Sequence, residues 1–531
     1  MVTRAGRVRA FVFCSLAVLG GCAGSSGGSN GSSAQTLVVA RVKDAVTLDP
    51  AQATDGLSLN LTQEVVWGVV RFKPGTFDIA PAIAQRWSVS PDGKQWTFTL
   101  AKGLKFSDGT AVDALAVKFN LDRWRLLSDP NHRNDVYAYY ADMFGGFPGV
   151  ITNVQAKNSN TVVFTLARPQ ATFLHNLAMP SFGIGSPKAI QNDHEGYTRN
   201  PVGYGPYTVA DWVKFDHITL QANPYFAGPK PAYSTIIVRD IPDQATSVLS
   251  LQKGDVDILT DPRPDDAKQL ATQQGVAIYQ QPSNNNSYVA MNIEKAPFDK
   301  LQARQAIAYA MNIEQIVHAF YDKGAVVAEN WTPPGMLGEN LAVKHYPYDP
   351  NKAKQLLAAA GVANISTQLY YPTAPRPYMP EPQRIAEAIQ ANLKSVGVNV
   401  TLAPFEWAVF LSKIRNGEHP MCLIGWSGDN GDPDNFMYPL LDQDSAHKPN
   451  AQNYAFWRDP KFHSLMLQGQ ATTDVAKRAA VYREANAMIH DQVPAIAIVH
   501  TAVPIAMKTT IGGFVPRPDT AINFELLKPK S

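Results

Sequence analysis

Met421-Cys422-Leu423-Ile424-Gly425-Trp426-Ser427-Gly428-Asp429-Asn430-Gly431-Asp432-Pro433-Asp434-Asn435-Phe436 joins an apolar run to a loop with three carboxylates and three glycines. The run Met421 to Trp426 predicts a buried strand, and the loop predicts tight turns with fixed negative charge, suited to holding an amine or a metal. Upstream, Asp349-Pro350 predicts an N-cap and first helical position, with apolar residues at Ala353, Leu356, Leu357 and Ala360 and a stop at Gly361. A second helix is expected over roughly Pro382 to Val396, with Ile385, Ala388, Ile389, Leu393 and Val396 on one face, followed by a strand at Val398, Val400 and Leu402. This alternation is the signature of an α/β lobe, and ligands of open α/β sheets bind at the carboxyl ends of strands, where the acidic loop lies. Period-two runs at Thr36 to Ala40, Trp96 to Leu100, Thr161 to Leu166 and His217 to Leu220 predict further strands.

The front of the chain sets the compartment. Arg4, Arg7 and Arg9 precede the apolar segment Ala10 to Leu19, which is too short to span a bilayer and has the form of a secretory signal. Leu19-Gly20-Gly21-Cys22 resembles a bacterial lipobox, so residues 1–21 are expected to be removed and Cys22 lipidated, anchoring the chain to the outer face of the cytoplasmic membrane. Residues 22–35, rich in Ser, Gly and Ala, read as a flexible tether. Loss of the three arginines leaves 44 basic against 45 acidic side chains, a formal charge of −1 that makes no claim on nucleic acid. Cys422 is then the single cysteine beyond the lipid site, so no internal disulfide is expected and stability must rest on burial.

Catalytic patterns are weak. Gly425-Trp426-Ser427-Gly428-Asp429 approaches the serine hydrolase elbow but has Asp429 where glycine is required. No histidine pair has zincin spacing, and Asp429, Asp432 and Asp434 lack the ligand periodicity and glutamate of an EF-hand, so neither a metal nor a cofactor is expected. Asp432 and Asp434 read as turn-shaping residues. The proline cluster from Pro372 to Pro382 instead puts Arg376 and Tyr378 on a stiff loop. An anionic loop at Asp429 and a cationic loop at Arg376 fit a zwitterion: Asp429 would take a peptide's ammonium and Arg376 its carboxylate. At ~3.5 Å per extended residue their separation would measure ligand length. Trp426 and Tyr378 would supply apolar walls.

The chain also resembles the extracellular solute-binding proteins of family 5, which deliver peptides and other solutes to ABC importers. The resemblance rests on Ala80 to Gly93, Gly103-Leu104-Lys105-Phe106-Ser107-Asp108-Gly109, Asn200-Pro201-Val202-Gly203-Tyr204-Gly205-Pro206-Tyr207, Arg304 to Ala310 and Tyr348 to Ala353. Within the family, the Arg376-Pro377-Tyr378 loop and Gly425 to Phe436 look closest to the dipeptide-binding proteins. That resemblance implies the ammonium role for Asp429, the carboxylate role for Arg376, and ligand-lining positions at Thr54, Asp55, Gly56, Pro377, Tyr378, Trp426, Ser427 and Gly428. It also implies a type II periplasmic-binding-protein-like fold, with two α/β lobes, a hinge and an accessory domain. The first lobe is placed at 36–68, 201–285 and 500–531, the accessory domain at 69–200 and the other lobe at 286–499. The expected protein is a non-catalytic, monomeric, lipid-anchored receptor for short peptides, with ABC permease subunits as partners. A haem, nickel-chelate or glutathione receptor is the alternative, and a tethered hydrolase a further one. Thr373-Ala374-Pro375 and Leu57-Ser58-Leu59 depart from the dipeptide pattern.

Overall fold

The computed structural model describes residues 35–133, 135–362 and 365–530. The expected signal, Cys22 and all of the tether but Gln35 lie outside them.

Apolar runs become sheet cores. Thr36–Arg41 pairs in parallel with Thr235–Asp240 and with Ile258–Thr260, at the centre of a seven-stranded sheet. That sheet also takes in Tyr207–Val213, His217–Ala222, Val276–Pro282 and Ala502–Lys508. A six-stranded sheet is built from Asn285–Met291, Val326–Val327, Ser366–Pro372, Asn399–Phe405, Met421–Ser427 and Ala495–His500. A third, antiparallel sheet of four strands comprises Ala84–Val89, Gln95–Leu100, Ile151–Asn158 and Thr161–Leu166. The architecture is mixed α/β, and the expected strands at Thr36, Trp96, Thr161 and His217 all form, to within two residues at either end.

Helices form where a cap or an apolar stripe marks them. Pro350–Ala359 begins on Asp349, whose carboxylate accepts the Lys352 N–H at 2.9 Å, and it buries Ala353 and Leu357. Pro382–Lys394 buries Ile385, Ile389 and Leu393 completely, as its i, i+4, i+8 stripe demands. Among the described residues no helix is long and apolar enough to cross a membrane.

The chain passes between the two large sheets at Ser283–Asn284 and again at Thr501. Asn285 ties these crossings together: its amide donates to the hydroxyls of Ser283 and Thr501, both at 2.7 Å, and its side-chain oxygen accepts the Thr501 N–H at 3.0 Å. Cys422 lies fully buried in Met421–Ser427, between the strands Asn285–Met291 and Ser366–Pro372. Burial pushes its thiol pKa up.

Candidate ligand cavity at the end of the buried strand

Met421–Ser427 is held on one side by antiparallel pairing (Ser287 with Gly425, Asn285 with Ser427) and on the other by parallel pairing (Leu369 with Met421). Past Ser427 the chain turns out of the sheet, and the Gly428 N–H donates to the Asn284 carbonyl at a crossing, at 2.6 Å. A Cβ on Gly428 would fall 2.4 Å from the Phe436 ring, so a larger residue could not make this turn without displacing it. Gly431 has φ +69° and would bring a Cβ to 2.0 Å from the Phe77 ring, so it needs glycine twice over.

Asn435 organises the turn. Its side-chain oxygen accepts the Asp429 N–H at 2.9 Å and the Trp426 indole N–H at 3.2 Å, while its amide donates to Asp429 Oδ2 at 3.1 Å. The other carboxylate oxygen, Oδ1, accepts the Tyr139 hydroxyl at 3.0 Å, from a segment 290 residues away in sequence. Burial raises the Asp429 pKa to about 6 and Asp142 adds to the rise, while Asn435 and Tyr139 oppose it. No cation lies within 4 Å of Asp429 among the described residues.

Of the neighbouring carboxylates, Asp432 serves the frame, and Asp434 both braces the loop and lines the adjoining cavity. Arg478 grips Asp432 through two bonds of 2.5 and 2.7 Å, both side chains almost wholly buried. Against the cost of burial, Arg478 holds the Asp432 carboxyl below its usual pKa. Asp432 also accepts the Asp434 N–H at 2.9 Å, in keeping with a turn-shaping role. Asp434 accepts bonds from Gln470 and Tyr482, and burial beside Asp432 raises its pKa to about 7.

Thr54, Tyr139, Asp142, Trp426, Asp429 and Asn435 contribute to the lining of one cavity of about 660 Å³. Of the candidate ligand residues named in the sequence, Thr54, Trp426 and Asp429 meet there, and Asp434, read as a turn residue, lines the same cavity. Asp55 instead caps the helix Gly56–Val65, accepting the Ser58 N–H at 2.9 Å, and Gly56 opens that helix. Ser427 is exposed on the strand end and makes no side-chain hydrogen bond among the described residues. The loop carrying Arg376, Pro377 and Tyr378 packs beside the same strand, outside the cavity wall. Tyr378 is 6% exposed, a core residue with its ring against Gly425, and Pro377 O accepts the Thr501 hydroxyl at 3.2 Å. The Arg376 guanidinium lies over the Trp407 ring, 3.6 Å from its centroid, with no carboxylate within 4 Å and no partner for Nε among the described residues.

Tyr139, Asp142 and Asn435 were not singled out in the sequence. The signal for the first two was the spacing within Ala138–Phe144: Tyr140 and Phe144 form the buried side, which leaves Tyr139 and Asp142, three apart, on another face. A separate group, Asp442, Asp444 and His463, has ligand atoms within 4.8 Å of one another, a grouping the sequence spacing did not foretell. Its members already pair: His463 Nδ1 sits 3.0 Å from Asp442, and the Tyr438 hydroxyl donates to Asp444 at 2.9 Å.

Comparison with known proteins identifies the family. The chain is 34% identical over 507 residues to the dipeptide-binding protein of Escherichia coli (strain K12), covering 93% of this chain and 94% of that protein. It is 33% identical over 503 residues to heme-binding protein A of Haemophilus influenzae, covering 92% and 91%. Among solved structures it resembles the ABC transporter-associated periplasmic binding protein DppA from Helicobacter pylori in complex with the peptide STSA, with TM-score 0.77 and 30% identity over 93% of this chain and 98% of that one. Residues 78–448 match the family model described as bacterial extracellular solute-binding proteins, family 5 Middle, and the chain belongs to that family.

Proposed function

We propose that this protein is the receptor of an ABC importer for dipeptides or short oligopeptides, gripping them by their charged termini without catalysis. The observation that carries the reading is Asp429: a carboxylate fixed by Asn435 and Tyr139, facing a cavity and with no cation partner among the described residues. A peptide ammonium is the group such a carboxylate selects. Arg376, whose loop lies outside that cavity wall, takes the carboxylate end when the lobes close about the peptide. Its guanidinium is stacked on Trp407 yet free of any acidic partner among the described residues, which leaves its hydrogen-bonding edge for a ligand. The named functions of the E. coli relative and the H. pylori neighbour support peptides as the ligand class.

In this reading Thr54, Trp426, Gly428 and Ser427 flank the peptide, and Asp55, Gly56, Pro377 and Tyr378 hold the surrounding loops. The lobes comprise 36–68, 201–285 and 500–531 on one side and 286–499 on the other, with 69–200 as the accessory domain, and they close about the crossings at 283–284 and 501. The protein acts as a monomer outside the cytoplasm, tethered through the lipid on Cys22, and hands its ligand to permease subunits.

Calorimetry with alanyl dipeptides tests this. Each charge-assisted contact is worth about 1.5 to 3 kcal/mol, or roughly 10- to 150-fold in affinity. Asp429→Asn is expected to lose that factor for free peptides and little for N-acetylated ones, to which the wild type already binds poorly. Arg376→Ala is expected to erase the preference for a free carboxylate over an amide. Tight haem binding, seen as a Soret shift, with no binding of any peptide up to five residues would overturn the reading in favour of the haem alternative.

A further inference from the structure

We propose that the cavity favours peptides whose first residue carries a second cationic group, as in lysine, ornithine or arginine, with Asp142 as the specificity-determining carboxylate; this rests on the peptide reading above. The seven-residue helix Ala138–Phe144 fixes the arrangement. Tyr140 and Phe144 are buried in the core, and the Met143 carbonyl accepts bonds from the side chains of Gln170 at 2.8 Å and Asn176 at 3.0 Å, so the helix cannot roll. Tyr139 and Asp142, three residues apart, both line the cavity. Tyr139 donates to Asp429, so Asp142 stands one helical turn from the tyrosine that steadies the ammonium-binding carboxylate.

Asp142 has no hydrogen-bond or ion-pair partner among the described residues; it remains solvent-exposed, and only partial desolvation of its carboxyl raises its pKa. It also raises the pKa of Asp429, so the two carboxylates repel across the cavity. A peptide with one ammonium neutralises Asp429 and leaves Asp142 facing its first side chain uncompensated. A side chain ending in a cation neutralises both and relieves the repulsion. Arg168, on the loop after Thr161–Leu166, also lines the cavity and pairs with no carboxylate within 4 Å among the described residues. Were Arg168 the selector, an acidic side chain would be favoured instead.

Calorimetry with lysyl-alanine, norleucyl-alanine and glutamyl-alanine separates these cases. The wild type is expected to bind lysyl-alanine at least about tenfold more tightly than the neutral norleucyl peptide. Asp142→Asn should reduce that ratio to within about twofold, and Asp142→Glu, which keeps the charge, should retain it. Equal affinities in the wild type, a ratio that survives in Asp142→Asn, or glutamyl-alanine as the tightest ligand would overturn the proposal. Binding of 1,5-diaminopentane as tight as lysyl-alanine would overturn it too, since two amines alone would then suffice. Loss of the peptide reading looks different, because then none of the three dipeptides binds.

Discussion

At the residue scale the site turns on the proton of Asp429. Its pKa of about 6 in the ligand-free protein lies above that of an ordinary carboxyl, because burial costs the charged form more than Asn435 and Tyr139 return. The raised pKa has two opposite consequences. Without ligand, the protein gains stability as pH falls through about 6, since the folded state takes up a proton the unfolded state does not. On the proposed role of Asp429, peptide binding needs the carboxylate, so affinity is expected to fall over the same range. The dissociation constant is expected to weaken roughly tenfold from pH 7 to pH 5, a range over which a dipeptide's own α-amine stays protonated. Tyr139→Phe removes a bond to the charged form and should move the inflection upward; an unmoved inflection would mean that another group titrates. Asp429 was legible in the sequence because glycine, asparagine and aspartate after an apolar run announce a loop at a strand end. Tyr139 was not, since the bond between them spans 290 residues and no local pattern encodes it.

At the scale of elements, caps and stripes were the readable part. Asp349 with Pro350, and the stripe Ile385, Ile389, Leu393, each determine a helix through neighbours within two turns, and both helices form close to the expected bounds. The acidic loop shows where such reading stops. Turn chemistry set Asp429 apart as the ligand candidate and Asp432 as a turn residue, but not that Asp432 would be locked to Arg478 on the helix Val475–Gln492 while Asp429 faces the cavity. That division depends on tertiary placement of a helix more than forty residues downstream. The pair is buried, so removing one partner strands a charge: Arg478→Met should cost about 3 to 5 kcal/mol, measured as a lower urea midpoint. Replacing both, with Asp432→Asn added, should cost less than Arg478→Met alone. If the double substitution is the worse of the two, the bridge contributes net attraction beyond avoiding an unpaired charge.

Across the whole molecule, the acidic loop is where distant stretches of chain meet. Asn430 donates to Asn176 at 2.7 Å, Gly431 lies against Phe77, and the Ala171 N–H donates to the Gln470 carbonyl at 2.8 Å. The strand behind this meeting point carries Cys422, sealed between two neighbouring strands. An alkylating dye can reach that sulfur when the sheet comes apart and not before, which makes the thiol a clock for the opening of the very strand that ends at the cavity. In a chain lacking the first two cysteines, labelling should be slow without ligand. A dipeptide at 100 times its dissociation constant should slow it about a further 100-fold, provided the sheet recloses faster than the dye reacts. The clock reads occupancy from the far side of the strand, with no label placed near the ligand.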